Sequence, residues 1–151
     1  MIQTLQLRRG KSESLRRFHP WIFSGAIHRI PESLPEGALV RIVDENNKFM
    51  ALGHYQIGSI AVRVLSFVER PINAEFWVER LSEAFKVRKS LDLVRPDNDI
   101  YRLVHGEGDQ LPGLIIDVYG QTAVMQAHSV GMHCCRQEIA EALIEACEGE
   151  V

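Results

Sequence analysis

The residues of this sequence best suited to binding chemistry are basic side chains near its N-terminus. Ten Lys and Arg residues lie within residues 1–70, and half of them fall within positions 8–17. These five are Arg8, Arg9, Lys11, Arg16 and Arg17. Cationic groups at this density can neutralise several phosphates of a polyanion. A solvated basic face without a partner is the alternative, because basic clusters are common on soluble proteins.

Aromatic residues follow the basic cluster, and exposed rings can stack on unpaired bases. His19, Trp21 and Phe23 alternate along the chain, but core packing is the favoured interpretation of Trp21 and Phe23. Tyr55 is equally suited to core packing and to stacking. Arg63 is a further candidate for phosphate binding. We therefore predict an RNA-binding site made of the five clustered basic residues together with Tyr55 and Arg63.

The three cysteines are weak candidates for catalysis or metal binding. Cys134, Cys135 and Cys147 lie on a predicted amphipathic helix, and the sequence places no base beside them. Cys135 falls on the apolar stripe of that helix and behaves as a small hydrophobic residue. Adjacent Cys134 and Cys135 point about 100° apart on a helix, so they do not complete a zinc site with His128 and His133. We predict no catalytic residue and no metal ligand in this chain.

A glycine-containing segment at residues 106–111 bears only a partial likeness to a cofactor loop. Leu111 stands where the third glycine of G-x-G-x-x-G belongs, and Pro112 favours a turn. Asp109 and Asp117 flank this turn and could face a substrate, although Asp beside a turn usually bonds its own backbone. We therefore expect no cofactor-binding residue in this chain.

Length and composition limit the class of protein. At roughly 100 to 200 residues per domain, 151 residues make one domain or two small ones. Leu, Ile, Val and Phe make up about 30% of the chain, which predicts a folded protein. No apolar stretch approaches the ~20 residues of a membrane helix, and residues 1–11 contain no apolar h-region, so we expect a soluble protein that is not exported. Three cysteines without CxxC spacing argue against a disulfide framework. We expect a cytoplasmic protein without a membrane partner.

The net charge of −3 conceals two halves of opposite sign. Residues 1–70 carry ten Lys/Arg and six Asp/Glu, a net charge of +4. Residues 71–151 carry seven Lys/Arg and fourteen Asp/Glu, a net charge of −7. The chain is therefore divided at Pro71 into a basic part over residues 1–70, whose charge suits a polyanion, and an acidic part over residues 71–151.

The sequence of the first half predicts short strands and one helix. A strand is predicted near Ile2–Leu7, and helical spacing begins at Ser12 with Leu15, Phe18 and Ile22, which Pro20 must interrupt. Three apolar, partly alternating segments follow, at residues 38–43, 49–55 and 60–67. Strands at this spacing predict a small β-barrel.

The sequence of the second half predicts a helix, then several strands, then a second helix. Asn73 is the predicted N-cap of a helix with Trp77, Leu81, Ala84, Phe85 and Leu91 on its apolar face. Strands are predicted at residues 100–104, 114–116 and 122–127. A last helix carries apolar residues from Met132 to Ala146, with Gly149 as its cap. Because this unit lacks a surface to cover its sheet, we expect the chain to be part of a longer protein.

Three segments are similar to one family of known proteins. They are R-R-F-H-P-W-I-F-S-G-A-I at residues 16–27, G-H-Y-Q-I-G-S-I-A-V-R at residues 53–63, and E-G-D-Q-L-P-G-L-I-I-D-V-Y-G at residues 107–120. Together they resemble bacterial S-adenosylmethionine (SAM)-dependent 23S rRNA (cytosine-5) methyltransferases. Val118 departs from the family pattern, which commonly has Arg there, so a contact made by that Arg is not carried over.

The resemblance implies a fold and assigns RNA binding and catalysis to different domains. The family begins with a PUA domain, a small RNA-binding pseudo-barrel, followed by a central α/β domain and a Rossmann-like methyltransferase domain. The expected fold class is thus α+β: a PUA-like barrel over residues 1–70, then an incomplete central domain over residues 71–151. Catalysis and SAM binding would lie in the methyltransferase domain of the parent protein, so this chain alone is expected to be inactive.

The leading hypothesis is therefore the RNA-binding and substrate-positioning region of an rRNA cytosine-5 methyltransferase, with structured RNA, most specifically 23S rRNA, as its partner. Three alternatives stay open. The chain could be a stand-alone PUA-type RNA-binding protein without catalytic activity, or a complete small transferase that uses its second domain. Residues 71–151 could instead serve mainly as an interface, including that of a homodimer.

Overall fold

A computed structural model describes residues 2–147 of the chain. These residues form two compact units. The first contains residues 2–70 together with Ser129–Gly131, and the second contains residues 71–128 and 132–147. No helix among the described residues is long and apolar enough to cross a membrane.

The first unit is built on a five-stranded sheet with the order β1-β3-β4-β5-β2. Its strands are β1 (Gln3–Gln6), β2 (Trp21–Phe23), β3 (Leu39–Val43), β4 (Phe49–Tyr55) and β5 (Ile60–Ser66). β1 pairs with β3 in parallel, and the other neighbouring strands are antiparallel. The three longer strands confirm the strands predicted at residues 38–67.

The sheet of the first unit closes into a barrel just beyond β1 and β2. A bridge joins Leu7 to Ile27, and the Arg8 amide donates to the Ala26 carbonyl at 2.8 Å. Inside the barrel, alternate strand residues such as Ile22, Val40 and Val62 are buried in one apolar cluster. Because closure pairs both edges of the sheet, the chain segments that follow β1 and β2 are held side by side.

The helix expected from Ser12 is much shorter than its apolar spacing suggests. α1 covers only Glu13–Arg16, and Ile22 lies in β2 rather than on a helix. Leu15 is buried in the core, whereas Phe18 lies beyond the helix and is 70% exposed. Pro20 is the physical reason, since a proline ring does not fit within a continuing helix.

The second unit contains two longer helices and a three-stranded antiparallel sheet. Its elements are α2 (Ala74–Ser90), β6 (Ile100–His105), β7 (Leu114–Tyr119), β8 (Thr122–Ala127), the part of α3 (Val130–Cys134) that follows Gly131, and α4 (Arg136–Ala146). The strand order is β6-β7-β8, and α2 packs against α4. The predicted order of helix, antiparallel strands and helix is confirmed.

Helix α2 begins as its sequence predicts. The Asn73 side chain accepts a hydrogen bond from the Phe76 amide at 3.1 Å, which caps the first turn. Trp77, Leu81 and Phe85 are buried on its apolar face. Leu91 was predicted on that face but is 61% exposed, because the helix ends at Ser90 and Leu91 lies outside the last turn.

The last predicted helix is divided into two at Cys135. The backbone there has φ −92° and ψ 3°, which departs from helical geometry and separates α3 from α4. The Arg136 guanidinium donates to the His133 carbonyl at 2.7 Å and so satisfies an acceptor left by the break. The predicted cap at Gly149 lies outside the described residues.

Candidate nucleic-acid interface

A groove of about 860 Å³ lies on the surface of the first unit. Residues between Gly10 and Ala26 form its walls, drawn from α1, the loop that follows, β2 and the 3₁₀ turn at Ser24–Ala26. The walls combine two cations, Lys11 and Arg17, with aromatic or heteroaromatic rings. Proteins that bind single-stranded nucleic acids combine cations, which contact the phosphates, with aromatic rings, on which the bases stack.

The end of α1 determines which side chains reach the groove. The His19 amide donates to the Ser14 carbonyl at 3.0 Å, and the Phe18 amide donates to the Leu15 carbonyl at 2.9 Å. These two bonds are the Schellman pattern that closes a helix, in which one residue adopts the left-handed conformation. That residue is Phe18, with φ 62°. Glycine is preferred at such a position, so a bulky aromatic residue is held there with backbone strain.

The rings of the groove are held by contacts with their neighbours. Phe18 meets Phe67 edge to face, with ring centroids 5.2 Å apart, and yet remains 70% exposed. The His19 and Phe23 ring centroids lie 6.4 Å apart, and Phe23 is 50% exposed. The Trp21 amide donates to Nδ1 of His19 at 3.1 Å, which fixes the direction of the imidazole.

The expectation that Phe23 packs in the core is wrong. Strand residues point alternately to opposite faces, and Ile22 is the β2 residue that enters the barrel. Its neighbours Trp21 and Phe23 consequently point away from the barrel core, with Trp21 half-buried. Phe23 is therefore available at the groove.

Of the predicted cations, Lys11 and Arg17 line the groove itself. The Arg17 side chain is 78% exposed and lies 3.3 Å from the Glu13 carboxylate, which is 64% exposed. An exposed pair of this kind contributes little stability, so the guanidinium can exchange its partner for a phosphate at small cost. Arg16 points elsewhere, since its Nη2 lies 4.0 Å from Oδ2 of buried Asp44.

Arg8 and Arg9 directly precede the groove along the chain and are both exposed. Nε of Arg8 donates to the Ile27 carbonyl at 3.1 Å, which ties this side chain to the chain segment beyond β2. Its remaining guanidinium nitrogens leave donors for a further acceptor. The structure thus brings four of the five clustered cations to the groove or to the segment that leads into it.

Besides Arg16, two predicted site residues do not lie at the groove. Tyr55 is 7% exposed and belongs to the barrel core, so the prediction that it stacks on a base is corrected in favour of core packing. Its position at the end of β4, opposite buried Val62, explains the burial. Arg63 is half-buried on β5 beside Trp21 of β2 and is not a lining residue of the groove.

The two aspartates around the Pro-Gly turn make ion pairs. Asp109 accepts from both terminal nitrogens of Arg88, at 3.0 and 2.6 Å, and both side chains are largely buried. Asp117 accepts from Nε of Arg102 at 2.8 Å. Both carboxylates therefore hold the structure of the second unit together, a role that the sequence alone did not reveal.

The glycine-containing turn and Cys135 of the second unit lack the geometry of a SAM loop and the pKa of an activated thiolate. Gly106–Asp109 form a 3₁₀ turn between the antiparallel strands β6 and β7, not the strand-to-helix turn that cradles a cofactor. Burial raises the pKa of the Cys135 thiol to about 11, so it stays protonated at neutral pH. Within residues 2–147, no three His, Cys, Asp or Glu side chains are grouped so as to hold a metal ion.

Sequence reasoning missed Phe18, the more exposed of the two phenyl rings of the groove. Its apolar character was assigned to the helical spacing of Leu15 and Ile22, which predicts an inward-facing residue. The useful signal is Pro20, because a helix must stop before it, and a left-handed residue is a common way for a helix to end. Phe18 occupies that position.

Comparison with known proteins agrees with this geometry. Residues 5–67 match the family model of the PUA-like domain. The chain is 39% identical over 141 residues to "Ribosomal RNA large subunit methyltransferase I" of Shigella dysenteriae, covering 92% of this chain and 35% of that protein. The proteins of the same name from Erwinia tasmaniensis and Vibrio cholerae are 37% and 35% identical, and the chain covers 36% of each.

Solved structures show the same fold at lower sequence identity. A Streptococcus mutans protein described as a SAM-dependent methyltransferase superimposes with a TM-score of 0.82 at 18% identity, over 99% of this chain and 39% of that one. SMU.776, described as a methyltransferase in complex with SAH, gives 0.81 at 17% identity over 99% of this chain and 38% of that one. This chain thus spans little more than a third of the proteins it matches. Residues 5–67 are a PUA-like domain, and the chain is homologous over most of its length to part of Ribosomal RNA large subunit methyltransferase I.

Proposed function

We propose that the first unit binds structured RNA through the groove between Gly10 and Ala26, and that the chain is the RNA-recognition region of a SAM-dependent rRNA methyltransferase. The observation that carries the proposal is the combination, in one groove of a PUA-like domain, of Lys11 and Arg17 with exposed Phe18 and Phe23. Cations supply affinity for phosphates, and exposed rings accept unpaired bases.

Charge supports the same assignment. Residues 1–70 carry a net charge of +4, and Arg8, Arg9, Lys11 and Arg17 extend from the chain before the groove into its wall. Glu13 is the one acidic residue of that wall, and it already pairs with Arg17. An RNA strand that follows the groove would therefore meet a cationic path of about four side chains.

For the parent protein we propose methylation of cytosine at C5 in 23S rRNA, in the cytoplasm, with SAM as methyl donor. The homologous proteins carry the name of an rRNA large subunit methyltransferase. Attack on C6 of cytosine needs a thiolate, and the raised pKa of Cys135 is unsuited to that role. Because this chain covers only 35% of the Shigella dysenteriae protein, we propose that the nucleophile and the SAM site lie in the remaining part of the parent protein.

RNA binding is tested by fluorescence anisotropy of the 151-residue chain with a labelled hairpin from 23S rRNA. Lys11→Gln and Arg17→Gln should each weaken binding several-fold, because each removes a phosphate contact. Arg95→Gln is the matched control: this arginine of the second unit is also exposed and paired with carboxylates. Equal loss in all three variants, or no loss in any, would reject the groove as the binding site.

The chemical identity of the modification is tested in the organism that encodes the chain. Mass spectrometry of nucleosides from 23S rRNA should show loss of 5-methylcytidine when the gene is deleted, and its return when the intact gene is restored. Loss of a different methylated nucleoside would overturn the cytosine-5 assignment and leave RNA binding by the groove standing. Unchanged rRNA methylation would overturn the methyltransferase assignment as well.

A further inference from the structure

Phe18 is unusual in two respects. Its backbone adopts an unfavourable conformation, and its apolar side chain is exposed to solvent. Its φ of 62° places a bulky residue in the left-handed region, where glycine is preferred. Its ring is 70% exposed, although the barrel core lies immediately beside it. The end of α1 does not require a phenylalanine there, since the bonds of Ser14, Leu15 and His19 would form equally well around a glycine.

The ring of Phe18 is nevertheless held in a defined orientation. Its contact with Phe67 is edge to face, with an interplanar angle of 86° and 5.2 Å between centroids. Phe67 in turn packs on the barrel core, so it is itself anchored. An anchored ring with an open face loses little conformational entropy when a second ring stacks on it.

The chemistry around Phe18 identifies the kind of ring it would receive. Arg17 precedes it directly, Lys11 lies in the same groove, and both are cations that bind phosphates. A nucleotide presents a flat aromatic base and a phosphate, which matches an aromatic face flanked by cations. A paired base is stacked within its helix and has no free face, so the occupant must be an unpaired base.

We infer that Phe18 is a stacking residue for one unpaired base of the RNA, and that the groove therefore selects a bulge, loop or strand end over a continuous duplex. This inference rests on the proposed function, since it names the RNA element that the groove recognises. Phe18 acts by binding and positioning and has no part in the chemistry of methyl transfer. The strained backbone is retained because it directs the ring into the groove.

The test compares two RNA hairpins that have the same stem and differ by a single unpaired nucleotide, with 2-aminopurine as the bulged base. The 151-residue chain should bind the bulged hairpin about tenfold more tightly than the paired one, as expected for one stacked base. Fluorescence of the 2-aminopurine should fall on binding, which reports stacking on the ring. Phe18→Ala should abolish both the preference and the fluorescence change.

Matched variants separate stacking from folding and from charge. Phe18→Leu keeps an apolar side chain but removes the aromatic face, so it should behave like Phe18→Ala, whereas Phe18→Trp should keep the preference. Arg17→Gln should weaken binding of both hairpins by a similar factor and leave their ratio unchanged. Circular dichroism of each variant verifies that the barrel is intact.

The outcomes distinguish this inference from the proposed function. Equal affinity of the wild-type chain for both hairpins, or an unchanged preference in Phe18→Leu, would overturn the role of Phe18 while RNA binding stands. Binding of neither hairpin would overturn both. Preference for the bulged hairpin that disappears in Phe18→Leu and persists in Phe18→Trp establishes the stacking role.

Discussion

Arg88 on α2 and Asp109 at the end of the 3₁₀ turn form a two-pronged ion pair, with N–O distances of 3.0 and 2.6 Å. The Asp109 carboxylate also accepts from the His105 amide at 2.7 Å, and Nε of Arg88 donates to the Arg102 carbonyl at 2.9 Å. Both side chains are largely buried. The pair therefore connects α2 to β6 and to the turn before β7, and it gives Asp109 a structural role.

Removing one charge of this pair should strongly destabilise the second unit. Asp109→Asn leaves the Arg88 guanidinium buried without its counter-charge, which costs about 3 kcal/mol of unfolding free energy. Urea denaturation measures the change. Asp92→Asn is the control, because its ion pair with Arg95 is exposed and should contribute less than about 0.5 kcal/mol. Equal effects of the two substitutions would contradict the role assigned to the buried pair.

His54 should make the first unit less stable in weak acid. Its imidazole is buried, and the backbone of Gly131 lies against it so closely that a Cβ there would overlap the ring. Burial lowers the pKa of His54 from 6.5 to about 4. Between these values the unfolded chain binds a proton that the folded chain does not, so stability falls as pH falls, by about 3 kcal/mol in all.

The measurement is urea denaturation at several values between about pH 7 and pH 4. His54→Asn should remove this pH dependence, whereas His28→Asn should retain it because His28 is exposed. The pKa of Asp44 is lowered, first by its hydrogen bond from the Lys48 amide, and that of Glu69 is lowered, first by its hydrogen bond from Arg41, so these carboxylates add a loss of stability only toward the acid end of this range. A profile that stays flat in the wild-type chain would show that His54 can be protonated in place.

The backbone strain at Phe18 predicts an unusual order of stability between two variants. Phe18→Ala and Phe18→Gly both lose the ring and its contact with Phe67, so they differ only in the cost of the left-handed backbone. Glycine bears no such cost, and Phe18→Gly should be more stable than Phe18→Ala by about 1 kcal/mol.

Phe23 supplies the control for this comparison. Its backbone is extended, with φ −77° and ψ 148°, where glycine has no advantage over alanine. Phe23→Ala should therefore equal or exceed Phe23→Gly in thermal or urea stability, the reverse of the order at Phe18. The same order at both positions would show that Phe18 carries no strain.

The strands of this chain could be predicted well because their signals are local. Residues 38–67 contain three apolar, partly alternating segments, and Asn73 followed by an apolar stripe correctly predicts the start of α2. The spacing of Leu15, Phe18 and Ile22 predicts too long a helix, because three apolar residues at helical spacing do not show where a helix ends. Only Leu15 belongs to α1, and the other two take opposite roles, one exposed and one in the core.

The candidate site was harder to predict than the fold. Sequence places Lys11 and Arg17 in a basic cluster but does not show that Arg16, one position away, turns toward Asp44. Sequence left Tyr55 equally suited to the core and to stacking and favoured the core for Phe23, yet Tyr55 is buried and Phe23 is exposed, since the direction of a strand side chain depends on which face closes the barrel. The partners of Asp109 and Asp117 lie 21 and 15 residues away in sequence, beyond the reach of any local pattern.

The salt dependence of RNA affinity tests the central claim most directly, because counterions are released in proportion to the phosphates that the protein contacts. For about four neutralised phosphates, the logarithm of the association constant should fall against the logarithm of salt concentration with a slope near −3. The double variant Lys11→Gln/Arg17→Gln should reduce that slope by about 1 to 2. A slope near zero in the wild-type chain, or one that the double variant leaves unchanged, would contradict the account.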